Sequence, residues 1–236
     1  MVPIEIIYPD LKLKSDVAIY RYMSADAFIE TVMTQKMRFT KVSSFTDKLE
    51  GRLSDVSRAH RKAIDEWLSV DSGINFVRQK SHFDLIETSI RDFNYSTSWT
   101  LKNPQTNPLW KKFGLKGKNS VALISSLKTL ANALERDPLE AKIKCVTYID
   151  HHNEPIKIFD DREIIYFKDK KFSWEQEVRF NLDLSHDRKR PKFFKVEHLP
   201  RYEYEPINLS SILGFYCHPS MDKNFKYELL KLHPFV

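Results

Sequence analysis

The stretch at residues 172–180, FSWEQEVRF, strongly limits how this chain can fold. Its aromatic and branched residues favour a β-strand, and side chains alternate between the two faces of a strand. One face then carries three charged residues and the other carries three apolar residues: Glu175, Glu177 and Arg179 against Trp174, Val178 and Phe180. Two like charges on one face destabilise an ordinary sheet. The stretch therefore predicts a strand whose charged face meets partner groups or a ligand.

The first part of the chain reads as strand, helix, strand and then a helical insert. Strands are expected at residues 17–23 and 37–40, and Ser24 is placed to cap a helix between them. Two amphipathic helices follow, the second at about residues 75–92, and they form an insert at about residues 54–93. The first of these helices has an apolar face that includes Val56, Ile64 and Trp67.

The later part of the chain is rich in strand patterns. Strands are predicted at residues 94–99, 121–124, 143–149, 156–159, 174–184, 193–196 and 212–216. Helices are predicted at residues 127–134 and from Ser220 onward. Because no internal repeat and no long linker interrupts the pattern, we predict a single α+β domain over residues 1–236.

Charge and cysteine content indicate the class of protein. The 38 lysines and arginines exceed the 32 aspartates and glutamates, which gives a formal net charge of +6. Basic residues cluster at 111–118, 168–171 and 188–192, and such clusters attract phosphate-rich partners. Cys145 and Cys217 lie in apolar segments, which is typical of free thiols in a reducing compartment. With no basic leader and no run of roughly 20 apolar residues, we expect a cytoplasmic protein with no membrane partner.

Three polar groups stand inside otherwise apolar, strand-like segments. Arg21 lies within IYRY, and the run Ser96-Thr97-Ser98 precedes a tryptophan. Glu175 and Glu177 lie in the strand predicted at residues 174–184. Each needs a partner when buried, because an unpaired buried polar group costs several kcal/mol. An arginine binds phosphate, hydroxyls give short hydrogen bonds, and a carboxylate can hold a ribose hydroxyl and stabilise a positive charge.

This ordered set resembles the arginine, Ser-Thr-Ser and Glu-x-Glu pattern of ADP-ribosyltransferases. Arg21, Ser96 to Ser98, and Glu175 with Glu177 occur in the same order as in those enzymes. The resemblance implies a split, mixed β-sheet core that binds NAD in a cleft. Nearly the whole chain also resembles a poorly characterised family of bacterial domains of unknown function, through IYRY at 19–22, SSFTD at 43–47, WKKF at 110–113, the 174–179 segment and ILGF at 212–215.

The resemblance to ADP-ribosyltransferases implies a role for each matched residue. The catalytic set would be Glu177, Glu175 and Arg21: Glu177 as the catalytic carboxylate, Glu175 serving the acceptor, and Arg21 contacting the phosphates or ribose of NAD. The groups that bind NAD would be Arg21 and Tyr22, the hydroxyls of Ser96, Thr97 and Ser98, and the ring of Trp110.

The acceptor of the ADP-ribose is predicted from the turn before the Glu-x-Glu segment. Its lysines and aromatic rings suit a single-stranded nucleic acid, because rings stack on bases while ammonium groups meet phosphates. The substrate-binding candidates are Lys168, Lys170, Lys171, Phe172 and Arg179. A glutamate at the first position of Glu-x-Glu instead resembles the motif of enzymes that modify protein arginines. Resemblance further implies a toxin or antiphage effector, with an antitoxin or regulatory protein as partner.

Two other classes of function remain open from the sequence. In a non-catalytic nucleic-acid or protein-binding module, Glu175, Glu177, Arg21 and Arg179 would form a structural ion-pair network. In a metal-dependent nuclease, Asp47 would join the two glutamates. No histidine or cysteine spacing matches a metal site, so we expect no bound metal.

Overall fold

The computed structural model describes residues 16–72, 82–104, 109–110, 119–133, 141–158, 160–185 and 199–232. The strands in these ranges are β1 (Ala18–Ser24), β2 (Lys36–Lys41), β3 (Asn94–Thr100), β4 (Ser120–Ser126), β5 (Ala141–Cys145), β6 (Thr147–Ile149), β7 (Phe167–Asp169), β8 (Glu177–Asp183), β9 (Tyr202–Pro206) and β10 (Gly214–Cys217). The α-helices are α1 (Ala25–Thr34), α2 (Asp55–Ser72), α3 (His82–Phe93), α4 (Leu127–Ala133) and α5 (Lys223–Lys231). Short 3₁₀ helices occur at Val42–Ser44, Asp161–Tyr166, Lys170–Glu175 and Leu209–Ser211.

Eight strands form one antiparallel sheet, and the predicted α+β class is confirmed. Six of them run in the order β10-β4-β1-β3-β2-β9, while β8 pairs with both β3 and β5. The short strands β6 and β7 pair in parallel beside this sheet. Ser24 caps α1 as predicted, because its hydroxyl accepts a hydrogen bond from the Ala27 amide at 3.2 Å.

Strand β3 is the point at which the sheet divides. Along one edge it pairs with β8 over its full length, from Asn94 opposite Asp183 to Thr100 opposite Glu177. Along the other edge it pairs with β2 near Ser96 and with β1 at Thr100 alone. Strands β1 and β2 therefore diverge from each other beside β3, and they leave a fork in the sheet.

The two faces of β3 and β8 differ in polarity. Tyr95 and Trp99 join Val178, Phe180 and Leu182 in the main hydrophobic core, which also contains residues of α1, α4 and α5. The opposite face is polar yet largely buried, and carries Asn94, Ser96, Ser98 and Thr100 from β3 with Glu177, Arg179, Asn181 and Asp183 from β8. A second apolar cluster, from α3 and the Asp161–Tyr166 helix among other segments, lies outside the main core. The predicted alternation of apolar and charged residues from Glu177 to Phe180 is confirmed.

The predicted strand at residues 174–176 is wrong. Lys170–Glu175 is a 3₁₀ helix, capped by the Asp169 carboxylate, and β8 begins only at Glu177. Gln176 adopts the left-handed conformation, with φ 45° and ψ 55°. The turn is fixed from outside, because the Thr100 hydroxyl donates to the Glu175 carbonyl at 2.5 Å. A turn, rather than strand alternation, therefore sets the positions of Glu175 and Glu177.

Other expectations meet mixed outcomes. Residues 156–158 form no strand, because the Ile156 amide donates to the Ser57 hydroxyl of α2 instead of to a neighbouring strand. The predicted strand at 193–196 and the basic clusters at 111–118 and 188–192 lie outside the described residues. The apolar face predicted for α2 is exposed at Val56, Ile64 and Trp67, the last with 66% of its surface accessible. None of the helices described has the length and apolar character needed to cross a bilayer.

The strained turn at Gln176 gives a test of the fold. A left-handed conformation costs an L-residue roughly 1–2 kcal/mol, which glycine avoids. We expect Gln176→Gly to raise the free energy of unfolding by about 0.5–1 kcal/mol, and Gln176→Val to lower it. Urea unfolding measures both variants.

Gln35 is the matched control, because it has the same backbone conformation after α1, with φ 52° and ψ 38°. Gln35→Gly should stabilise the protein by a similar amount. Equal unfolding free energies for the glycine and valine variants at position 176 would contradict the turn.

Candidate functional site

A cavity of about 600 Å³ opens beside the fork in the sheet. Its wall combines β1, β2, β3, the start of β8, the loop after the Val42–Ser44 helix, and the Lys170–Glu175 helix. Cavities of 300–1,000 Å³ hold ligands of cofactor size. The lining side chains include four acidic residues, three cations and several aromatic rings: Asp47, Glu50, Glu175 and Glu177; Arg38, Lys168 and Arg201; and Tyr20, Tyr22, Phe45, Phe172 and Tyr202.

Lys168 lies at the centre of three buried carboxylates. Its Nζ is 2.9 Å from an oxygen of Glu175, 2.9 Å from one of Glu177 and 3.2 Å from one of Glu50. Lysine was predicted to meet a nucleic acid at this position, but Lys168 is buried and its ammonium is engaged by these carboxylates. The charge of Lys168 therefore serves the interior of the site.

Arg179 completes this network from below. Its Nη2 donates to Glu177 Oε1 at 2.7 Å and to Glu50 Oε2 at 2.8 Å, and its Nη1 donates to the Ile165 carbonyl. Arg179 is fully buried and does not line the cavity. We call Glu50, Lys168, Glu175, Glu177 and Arg179 the charge network. It contains three carboxylates and two cations, so its formal charge is −1.

Glu177 is the best-supported carboxylate of the network. Its Oε1 also accepts a hydrogen bond from the Ser98 hydroxyl at 2.5 Å. Burial alone would raise the pKa of Glu177, but the charges of Arg179 and Lys168, with the hydrogen bonds from Ser98 and Lys168, lower it to about 2. Glu177 is therefore ionised at neutral pH even though it is buried.

The three hydroxyls of the Ser-Thr-Ser run take different positions. Ser98 lines the cavity and contacts Glu177. Ser96 points to the same face of β3, but its hydroxyl donates to Asn181 and it does not line the cavity. Thr97 lies on the opposite face of the strand and is buried there. Only Ser98 is placed to meet a ligand of this cavity.

Arg21 does not line the cavity. It alternates with Tyr20 and Tyr22, which do, and so it shares the other face of β1 with the core residues Ile19 and Met23. Its Nη2 donates to the Arg38 carbonyl at 3.0 Å, which joins β1 to β2 across the fork. Burial lowers the pKa of Arg21, and the charge of Arg38 lowers it further. Arg21 thus supports the wall of the cavity.

Of the aromatic rings and lysines predicted to bind a ligand, some lie at the cavity and others contact different parts of the protein. Trp110 packs edge-on against Tyr22, with ring centroids 4.7 Å apart, and its indole donates to the Pro104 carbonyl. Phe172 lines the cavity, and Lys171 lies over its ring at 5.0 Å. Lys170 instead turns away to Asp150, at 2.9 Å.

Glu50 and two arginines of the cavity wall were not predicted from the sequence. Glu50 precedes Gly51, whose φ of +70° leaves it in the left-handed region that favours glycine. An acidic residue next to such a turn was the available signal. Arg38 and Arg201 gave no comparable signal, because they meet at the cavity only through the pairing of β2 with β9.

The described residues contain no group of three His, Cys, Asp or Glu side chains arranged to hold a metal ion. Asp47, Glu175 and Glu177 do line one cavity, as the nuclease hypothesis requires. However, the Lys168 ammonium lies between the carboxylates, where a divalent cation would have to bind.

No protein-family model matches the chain, and neither does any curated protein or solved structure.

Lys168→Met tests the charge network. Removing one partner of a buried ion pair leaves uncompensated charge and costs about 3–5 kcal/mol. We expect the free energy of unfolding at pH 7 to fall by that amount. The loss should shrink below about pH 5, because without the charge of Lys168 the pKa of Glu177 rises, and its protonation on acidification removes buried charge that has lost its partner.

Lys170→Met is the matched control, since Lys170 forms an exposed ion pair only a short distance along the chain. It should leave the unfolding curve unchanged. A Lys168→Met variant as stable as this control at pH 7 would contradict the network.

Proposed function

We propose that the protein is an NAD-dependent ADP-ribosyltransferase. The observation that carries the proposal is the ionised carboxylate of Glu177, hydrogen-bonded to Ser98 in a cavity of cofactor size. The fork between β1 and β2 beside this carboxylate also supports a split sheet of the ADP-ribosyltransferase kind.

The residues of the cavity fit NAD by their chemistry. A carboxylate accepts hydrogen bonds from ribose hydroxyls, and a hydroxyl can also donate to them. Glu177 supplies the carboxylate and Ser98 the hydroxyl. The rings of Tyr20, Tyr22 and Phe45 offer apolar surface for flat heterocycles. Glu177 is held in place by the charge network and Ser98 by its hydrogen bond to Glu177, so their contacts with a ligand need little reorganisation.

Transfer breaks the bond between nicotinamide and the ribose carbon, and the electron pair leaves with nicotinamide. Positive charge then develops on the ribose, next to the Glu177 carboxylate, which stabilises it. A lone pair of the acceptor forms the new bond to the same carbon. The acceptor's proton passes to a base, and Glu175, another carboxylate of the cavity, can take it.

We propose a nucleic acid as the acceptor, with protein arginine as the alternative. Phe172 and Lys171 support a nucleic acid, because the ring lines the cavity and the exposed ammonium lies beside it. A transferase that modifies such a macromolecule in the cytoplasm would act as a toxin or antiphage effector, under the control of an antitoxin.

A non-catalytic module is the second candidate, and one observation favours it. The two oxygens of Glu177 already accept hydrogen bonds from Ser98, Lys168 and Arg179. A carboxylate satisfied in this way also fits a purely structural role, and activity assays separate the two candidates.

Glu177→Gln is the decisive variant. We expect transfer of label from NAD to fall by roughly 10²-fold or more, because the carboxylate charge is lost while the shape is kept. The free energy of unfolding should fall, because Lys168 and Arg179 each lose a buried partner, and circular dichroism at the assay temperature checks that the variant is folded. The assay incubates the protein with labelled NAD and, separately, with RNA, DNA and a protein extract.

Glu228→Gln is the control, because Glu228 is an exposed carboxylate on α5 outside the cavity. It should transfer label at the wild-type rate. Absence of label transfer by the wild-type protein to every acceptor would favour the non-catalytic module. Growth arrest on expression that disappears with Glu177→Gln would support the toxin role.

The pH dependence of transfer provides a further test. Because the pKa of Glu177 is lowered to about 2, this residue stays ionised and the rate should not fall through its protonation between pH 8 and pH 5. Ser98→Ala removes a hydrogen bond to the ionised form, so the pKa of Glu177 should rise and the acid limb should move to higher pH. Initial rates measured from pH 8 down to about pH 3 cover both effects, and acid limbs that coincide over this wider range would contradict the role of Ser98.

A further inference from the structure

Two arginines of the cavity wall stack on one tyrosine ring. The guanidinium carbon of Arg38 lies 4.7 Å from the ring centroid of Tyr202, and that of Arg201 lies 5.2 Å from the same centroid. All three residues line the cavity. Stacking restricts both guanidinium groups while leaving their edges free to donate hydrogen bonds.

The pairing of β2 with β9 produces this arrangement. Thr40 lies opposite Tyr202, so Arg38, two residues earlier on the same face, is the diagonal neighbour of that ring. The Lys41 amide donates to the Arg201 carbonyl at 3.0 Å, which fixes the backbone where β9 begins. On the β1 side, Arg21 donates to the Arg38 carbonyl. The stack is therefore held from three directions.

Neither guanidinium is neutralised within the part of the chain that the structure describes. No carboxylate oxygen of these residues lies within 4.0 Å of Arg38 or Arg201, whereas the third cation of the cavity wall, Lys168, contacts three carboxylates. Two uncompensated cations at one wall attract an anion.

We propose that Arg38 and Arg201 bind the diphosphate of a nucleotide ligand, a proposal that rests on the proposed function for the identity of that nucleotide. The planar guanidinium fork matches phosphate oxygens and forms two parallel hydrogen bonds. Since both cations contact the same ring, one diphosphate can reach both. The Tyr202 ring acts as the positioning residue between them.

Isothermal titration calorimetry of the full chain with inorganic pyrophosphate, at low ionic strength, tests the assignment. Arg38→Gln and Arg201→Gln should each weaken binding about tenfold, because each removes a charge-assisted contact. Tyr202→Leu should also weaken binding, whereas Tyr202→Phe keeps the ring and should bind as the wild type does. Lys226→Gln removes an exposed positive charge on α5 and is the control for net charge.

Orthophosphate provides a second probe. With two arginines acting together, pyrophosphate should bind at least tenfold more tightly than orthophosphate, and Arg38→Gln should reduce this preference. Equal affinities for the two anions, or wild-type affinity in both arginine variants, would overturn the assignment.

The outcomes separate this assignment from the proposed transferase. Pyrophosphate binding depends on Arg38 and Arg201 and involves no transfer step, so it can be measured whether or not the protein uses NAD. Pyrophosphate binding that depends on the arginines, without label transfer from NAD, would retain the diphosphate site and reject the transferase. Label transfer from NAD, with unchanged pyrophosphate binding in both arginine variants, would support the transferase and reject the diphosphate site.

Discussion

Two buried cations, Lys168 and Arg179, hold three carboxylates together, and the shape of the cavity depends on this arrangement. Buried ion pairs seldom stabilise a fold more than apolar residues of the same size would, because each charge loses its hydration. The charge network also joins separate segments: the loop at Glu50, β7, the Lys170–Glu175 helix and β8. Its distinctive property is a fixed negative charge in a place that excludes much of the water, and such a charge acts strongly on any positive charge nearby.

Local patterns in the sequence correctly predicted β3 and most of β8, whereas β7, which carries Lys168, was predicted to be a turn. The polar face of β8 and the position of Ser98 on β3 follow from alternation alone, because each depends only on neighbouring residues. The turn at Gln176 does not. Its left-handed backbone is held by Thr100 and Leu101 at the end of β3, far away in the sequence, and this contact overrides the strand preference of the segment.

Arg38 and Arg201, the two arginines of the cavity wall, could not be predicted as neighbours for a related reason. Strand β9 was not predicted, although its sequence Tyr-Glu-Tyr-Glu-Pro alternates, and the sequence does not say that β2 is its partner. Arg38 and Arg201 meet over Tyr202 only through that pairing. Arg21 shows the opposite case: it was noticed because it interrupts an apolar strand, yet strand alternation turns it away from the cavity. Residue type identified the chemistry, and only the strand register assigned it to a face.

Strand β3 separates the charges of the cavity into two groups. Arg38 and Arg201 lie on the β2 and β9 side, whereas the carboxylate of Glu177 lies on the β8 side. A polyanion long enough to fill the whole cavity would contact the arginines at one wall but would be repelled at the other by the charge network, whose formal charge is negative, and by Asp47, another acidic side chain of the wall. A ligand that is anionic at one end and becomes positive at the other is favoured at both walls. In the proposed transferase, the same charges would repel a nucleic-acid backbone from the interior, and the proposed acceptor would contact the protein near Phe172 and Lys171.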